Sequence, residues 1–197
     1  MTADLKKKYQ AAYLTLYKKA GIFLTEKEKR RLAIGTFYLD MPESIGSACV
    51  TYFNSMRCCG RELAMLPWQT IPEHRHPAVG NYPGKEETFR CRWGTVYLYV
   101  EGRKASRIHG HIPRGKESTF TVFHEIVLRP GEQYTLSPNT RHWFQGGPQG
   151  CVVSEFSTTA MDAHDIYTDP EIMRRHKTRF ARELSKGIAI ASSSKET

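Results

Sequence analysis

Between Ala48 and Thr158 the chain reads as short runs of β-branched and aromatic residues, ACVTYF, ELAMLPW, TFRCRW, TVYLYV, STFTVFHEIVL, QYTLSP, HWFQ and CVVSEF, broken by Pro and Gly. Many short strands at such close spacing predict an all-β sandwich or barrel. RWG, RPGE and SPNT mark tight turns between them. Both flanks are helical. Leu5, Tyr9, Ala12, Leu16 and Ala20 recur at spacings of three and four, the stripe of an amphipathic helix ending near Gly21. Thr25 and Glu28 form a capping box that opens a second, short helix. Near the end, Asp169 caps a further helix with Pro170 in its first position. At 197 residues the chain suits one domain with a real core. Within it, residues 1–47 carry the N-terminal helices, 48–158 the barrel, 159–190 a C-terminal helical segment and 191–197 a frayed tail.

The net charge of +9 comes largely from Lys6, Lys7, Lys8, Lys18 and Lys19, from Lys27, Lys29, Arg30 and Arg31, and from Arg174, Arg175, Lys177, Arg179 and Arg182. These flank the strand-rich middle, and no nucleic-acid motif accompanies them, so they read as solvated helix faces and no nucleic-acid partner is expected. No window approaches a membrane span and the N-terminus lacks the apolar core of a secretory signal, so a cytoplasmic protein with no membrane partner is expected. Cys49, Cys58, Cys59, Cys91 and Cys151 are odd in number and include an adjacent pair, which predicts reduced thiols.

The chemistry lies in the middle. His74 and His76 are separated by one residue, so on a strand both imidazoles point to the same face. Glu87 opens the next strand and His142 follows a Pro-bounded turn far along the chain, and a small barrel can bring all of these groups to one interior point. Three imidazole nitrogens and a carboxylate oxygen suit a single divalent Mn, Fe, Co, Ni or Zn and leave coordination positions open, which implies catalysis. A second pair, His109 and His111 with Lys116 and Glu117 after it, imitates the first but lacks the glycine and downstream histidine that should follow.

EHRHP, then Glu87 with six residues to Gly94, then RPGEQYTLSPNTRHWF, resembles the two motif blocks of the cupin superfamily. That resemblance implies a cupin, jelly-roll-like β-barrel whose first block supplies two histidines and a glutamate and whose second supplies a histidine. The gap between His76 and Glu87, which contains PAVGNYPGK, is longer than in most cupins. With NSMRCCGRELAMLPWQTIPE before it and SEFSTTAMDAHDIYTDP after, the stretch from Asn54 to Arg175 is similar to the bacterial D-lyxose isomerases of the cupin type. This implies a metal-dependent, preferably manganese-dependent, homodimeric enzyme acting on a free sugar, D-lyxose to D-xylulose and in addition D-mannose to D-fructose. It also implies a substrate contact at Arg61, where the family more often has lysine.

Aldose–ketose interconversion moves a proton between C1 and C2, so besides an electrophile for the developing enediolate it needs a base. Glu155 is the candidate, because alternation with Val153 puts it on one side of a strand that should border the pocket. Lys85 is placed to neutralise or hydrogen-bond a substrate oxygen. Asp162 and Asp165 resemble the family's acidic cluster and are candidates for sugar hydroxyls. Trp68, Trp143 and Phe144 either cover the apolar faces of the sugar or fill the core, and His124, alternating with apolar neighbours, is structural or pocket-lining. Three other readings stay open: a cupin sugar-phosphate isomerase, an iron-dependent cupin dioxygenase, and a non-catalytic sugar sensor.

Overall fold

A computed structural model describes residues 2–179; the expected tail and the end of the C-terminal helical segment lie outside the described residues. Helix α1 (Ala3–Lys19) starts on the Thr2 cap and α2 (Glu26–Arg31) on the complete Thr25/Glu28 capping box. Strands follow as β1 (Ala33–Gly35), β2 (Ser47–Asn54), β3 (Cys59–Met65), β4 (Thr70–Arg75), β5 (Glu87–Val100), β6 (His124–Leu128), β7 (Gln133–Leu136), β8 (His142–Ser157) and β9 (Ile166–Tyr167). A last helix begins at residue 170 under the Asp169 cap, whose carboxylate accepts from the Glu171 amide at 2.8 Å. No helix among the described residues is long and apolar enough to cross a membrane.

All described strand pairs are antiparallel. Two long strands organise the sheet. β5 and β8 pair along their whole lengths, while the outer edge of β8 pairs first with β4 and then with β3, and that of β5 with β7 and then β6. Glu87 stands opposite Ser157, at the far end of β8 from His142. A straight strand from His142 to Ser157 would be roughly 50 Å long at about 3.3 Å per residue. Glu87 Oε1 and His142 Nε2 are nevertheless 3.2 Å apart, so the sheet has rolled round on itself into a barrel.

The expected tight turn at Arg92-Trp93-Gly94 is not a turn. The strand runs through it with register shifts on both sides, a bulge at which Gly94 takes φ +76°, and a Cβ there would sit 2.1 Å from the Gly150 carbonyl oxygen. HWFQ and CVVSEF are likewise one strand, bent between Gly146 and Gly150. Of STFTVFHEIVL only its second half is a strand, because the Thr121 and Val122 amides donate to the buried Glu73 carboxylate and not to a neighbouring strand.

The barrel interior is packed by Leu63, Met65, Phe89, Leu98, Phe144 and Val153 among others. α1 covers the outside against Ala48, Val50, Ala64 and Val152. Its buried stripe is Tyr9, Tyr13, Leu16 and Tyr17, rotated from the expected one, because two phenols reach buried acceptors: Tyr13 donates to Gln69 Oε1 at 2.8 Å and Tyr17 to the Glu62 carbonyl at 2.9 Å. All five cysteines are free.

Candidate metal centre and active site

His74, the next-to-last residue of β4, pairs in register with His142, the first residue of β8, and with Tyr167 of β9. His76 follows on the same face, its ring centroid 4.9 Å from that of His74 and 5.5 Å from that of His142. Nitrogens of the three histidines lie within 4.8 Å of one another, the one such group among the described residues. The loop between His76 and Glu87 folds back so tightly that Gly84, at φ +103°, leaves no room for a Cβ beside the His76 carbonyl, and so delivers Lys85 and Glu87 to the histidines. Glu87 Oε1 is 3.2 Å from both His76 Nε2 and His142 Nε2.

Each Nδ1 is occupied from behind: His74 by the Pro72 carbonyl at 2.8 Å, His142 by the Thr140 carbonyl at 3.0 Å, His76 by Asp165 Oδ1 at 2.6 Å. Partners of this kind fix the tautomer that leaves Nε2 as the ligand atom. His76 Nε2, His142 Nε2 and Glu87 Oε1 are buried without a hydrogen-bond partner, a costly arrangement unless something else satisfies them. Ligands about 2.1 Å from one ion and at right angles are about 3 Å apart, close to the spacing of Glu87 from its two histidines. The group fits a divalent metal.

Burial, aided by His142 and His76, pulls His74 down to about 3, and burial pulls His142 down to about 4, so both are neutral donors at pH 7. Burial also opposes protonation of His76, but Glu87 and the Asp165 hydrogen bond outweigh it and raise this imidazole to about 9. Glu87, although burial would raise it, is held well below the usual carboxylate range by Lys85 and the histidines.

A pocket of about 270 Å³ opens beside this group. Lys85 Nζ bridges two carboxylates in it, Glu87 Oε2 at 2.7 Å and Glu155 Oε1 at 2.9 Å. Arg61 forms a two-pronged pair with Asp162 at 3.1 and 2.7 Å. Asp165 lines the pocket from behind His76, and Phe89 and Phe144 form an apolar side. Thus Arg61, Lys85, Glu155, Asp162, Asp165 and Phe144 are brought together with the histidines and Glu87.

Three residues weighed for the site are elsewhere. Trp143, fully buried, packs between Tyr99 and Phe120 on the opposite face of β8 and donates to the Val122 carbonyl at 2.8 Å. Trp68 stacks on Tyr97 and lies tilted against His111 on that outer side. His124 pairs opposite Val100 on the outer strand β6 and bonds the Arg103 carbonyl. The imitation motif is dispersed: His109 pairs with Glu125, and Lys116 with Asp169 and Glu171. Phe37, from an irregular loop, and Tyr167, from a strand of two residues, line the pocket without a signal in the sequence, and the Tyr167 ring stacks on His74 at 5.4 Å.

Among known proteins, the D-lyxose ketol-isomerase of Cohnella laeviribosi is 55% identical over 159 residues, covering 81% of this chain and 87% of that one. The D-lyxose ketol-isomerase of Thermofilum sp. (strain ex4484_79) is 48% identical over 174 residues, 88% of this chain and 97% of the relative. The chain belongs to the D-lyxose ketol-isomerase family. Another relative, the D-lyxose/D-mannose isomerase of Thermosediminibacter oceani, is 51% identical over 85% of this chain and 93% of its own. Membership in this family makes the protein a sugar isomerase by class. No family model matches the chain. The L-ribose isomerase of Cellulomonas parahominis superposes with a TM-score of 0.73 at 12% identity, covering 88% of this chain and 95% of that structure. That of Acinetobacter sp. DL28, solved with L-ribose, gives 0.67 at 17% identity over 81% and 82%. At such low identity these likenesses speak for the fold, the cupin barrel expected from the two motif blocks.

Proposed function

We propose that this member of the family interconverts D-lyxose and D-xylulose, with one divalent metal, manganese by preference, on His74, His76, Glu87 and His142. The observation that carries the proposal is the position of Glu155. It is a buried carboxylate on the same Lys85 ammonium as Glu87, and it faces a sugar-sized pocket beside the unpartnered imidazole and carboxylate atoms.

When bound, the metal supplies electrophilic stabilisation of negative charge on the substrate's oxygens. Glu155 takes the proton from C2 of the aldose while the C1 carbonyl oxygen accepts the electron pair, giving an enediolate. Delivery of a proton from Glu155 to C1, with the proton on O2 passing to O1, gives the ketose. Lys85 holds the Glu155 and Glu87 carboxylates side by side and fixes the direction of the Glu155 carboxylate, with Ser157 Oγ adding a contact at 3.4 Å. Arg61 and Asp162 present a polar wall for sugar hydroxyls, and the Phe89 and Phe144 rings hold water off the apolar side.

The name of the Thermosediminibacter relative supports D-mannose, converted to D-fructose, as a second substrate. A phosphorylated sugar is disfavoured, because the pocket cations Arg61 and Lys85 are already neutralised by Asp162, Glu155 and Glu87. Assembly as a homodimer belongs to the same proposal and is read by light scattering. The test of the function is metal-stripped protein re-loaded with single metals and screened against free and phosphorylated aldoses. Ketose formed from free lyxose without oxygen uptake supports the proposal; oxygen consumption with Fe(II), or unchanged sugar with every metal, refutes it.

A further inference from the structure

Two cavities share a wall on the open side of the barrel. The first is the pocket of about 270 Å³ beside His74; the second, of about 530 Å³, is lined by the polar side chains of Thr36, Tyr38 and His176. Gly35, Phe37, Asp162 and Tyr167 border both. Between the cavities the Phe37 and Tyr167 rings meet edge to face at 6.1 Å and 62°.

This partition is braced on both sides. Tyr167 pairs in register with His74, and its ring stacks on that imidazole at 27°. Phe37 and Tyr38 are consecutive non-glycine residues at φ 49° and 62°, a conformation that bulky side chains hold only where the surroundings over-determine it. Those surroundings are visible. The Leu39 amide closes the turn onto the Thr36 carbonyl at 2.9 Å, and buried Leu39 packs with Ile45 and Ile172. Arg175 donates to the Tyr38 carbonyl, and the Tyr38 hydroxyl meets His176 Nδ1 at 3.5 Å. The last helix therefore clamps the loop that aims Phe37 at the site, and the distance from His74 to the Phe37 ring is set by the fold.

We propose that Phe37, braced on Tyr167, sets the length of the sugar chain that the site accepts. A five-carbon aldose ends at the rings. A sixth carbon with its hydroxyl has to pass them into the second cavity, where Asp162, Thr36 and Tyr38 offer hydrogen bonds. The inference rests on the isomerase reading and deepens it from a reaction to a substrate length.

The test compares the metal-loaded wild type with Phe37→Ala and Phe37→Leu, each checked for metal content and melting temperature. Two ratios are read: hexose over pentose in kcat/KM, with D-mannose and D-lyxose, and hexitol over pentitol in affinity by calorimetry. Opening the partition should raise both ratios in Phe37→Ala by at least about tenfold, the discrimination a pocket exerts on one carbon unit. Phe37→Leu should move them the same way by less. Unchanged ratios in folded, metal-replete variants, or parallel losses for both chain lengths, overturn the proposal. If Phe37→Ala does not fold, Phe37→Leu decides. If the wild type turns over no free sugar, the isomerase reading fails, and the calorimetric ratio still tests the partition.

Discussion

Asp165→Asn is the most informative single change at the metal group. In the native site Asp165 Oδ1 accepts from His76 Nδ1 at 2.6 Å, and both side chains are buried, so the hydrogen bond is charge-assisted and shielded from water. It orients the ring and makes Nε2 a stronger donor. An asparagine keeps the shape and loses the charge. Loss of such a partner typically costs 10- to 100-fold in metal affinity, about 1.4 to 2.7 kcal/mol. The assay is competition for Mn(II) or Zn(II) against a chromogenic chelator, run alongside a melting curve. Asp165→Ala, which leaves Nδ1 with no acceptor, should fall at or beyond the upper end of that range. A metal dissociation constant within twofold of wild type, with only KM raised, would refute the reasoning and return Asp165 to the role of a sugar-hydroxyl ligand.

Three further outcomes are expected. His76→Ala and His142→Ala should each abolish stoichiometric metal binding while far-UV circular dichroism still reports the barrel, since the core is packed by other residues. Glu155→Gln should retain metal and lose roughly 10² to 10⁴ in kcat, the usual range for a positioned base, whereas near-normal turnover would move the role to another acidic residue. Denatured, unreduced protein should titrate five thiols, because all five cysteines are free.

How far the sequence could be read follows from how local each signal is. The capping box, the Asp169 cap and the strand-rich middle rest on neighbouring residues and were legible. Bulges were not: Gly94 carries the same positive φ that a turn requires, and only pairing of β5 with β8 on both sides of it tells bend from reversal. The spacing of the N-terminal stripe does not reveal that Tyr13 and Tyr17 turn inward, because their hydroxyls reach Gln69 and Glu62, partners far along the chain. In the site, the His-x-His spacing and the motif blocks pointed to the residues that converge, but not to what holds them. Asp165 lies 89 positions from His76, and the other two imidazoles are held by backbone carbonyls, which no residue type announces. For Trp143 the sequence leaves sugar cover and core both open, and strand alternation decides for the core by turning it to the face opposite His142. Phe37 and Tyr167 meet only after the barrel has closed.

The most direct measurement of the central proposal is turnover of D-lyxose in heavy water by metal-loaded protein, with the products examined by NMR. Proton carriage by Glu155 between the two carbons predicts deuterium at C1 of D-xylulose and, as the reaction reverses, at C2 of the remaining lyxose. It also predicts that Glu155→Gln loses isotope exchange and net isomerisation together while keeping its metal. Isomerisation with no deuterium entering either carbon would mean that hydrogen moves between them as hydride, and would contradict the role assigned to Glu155.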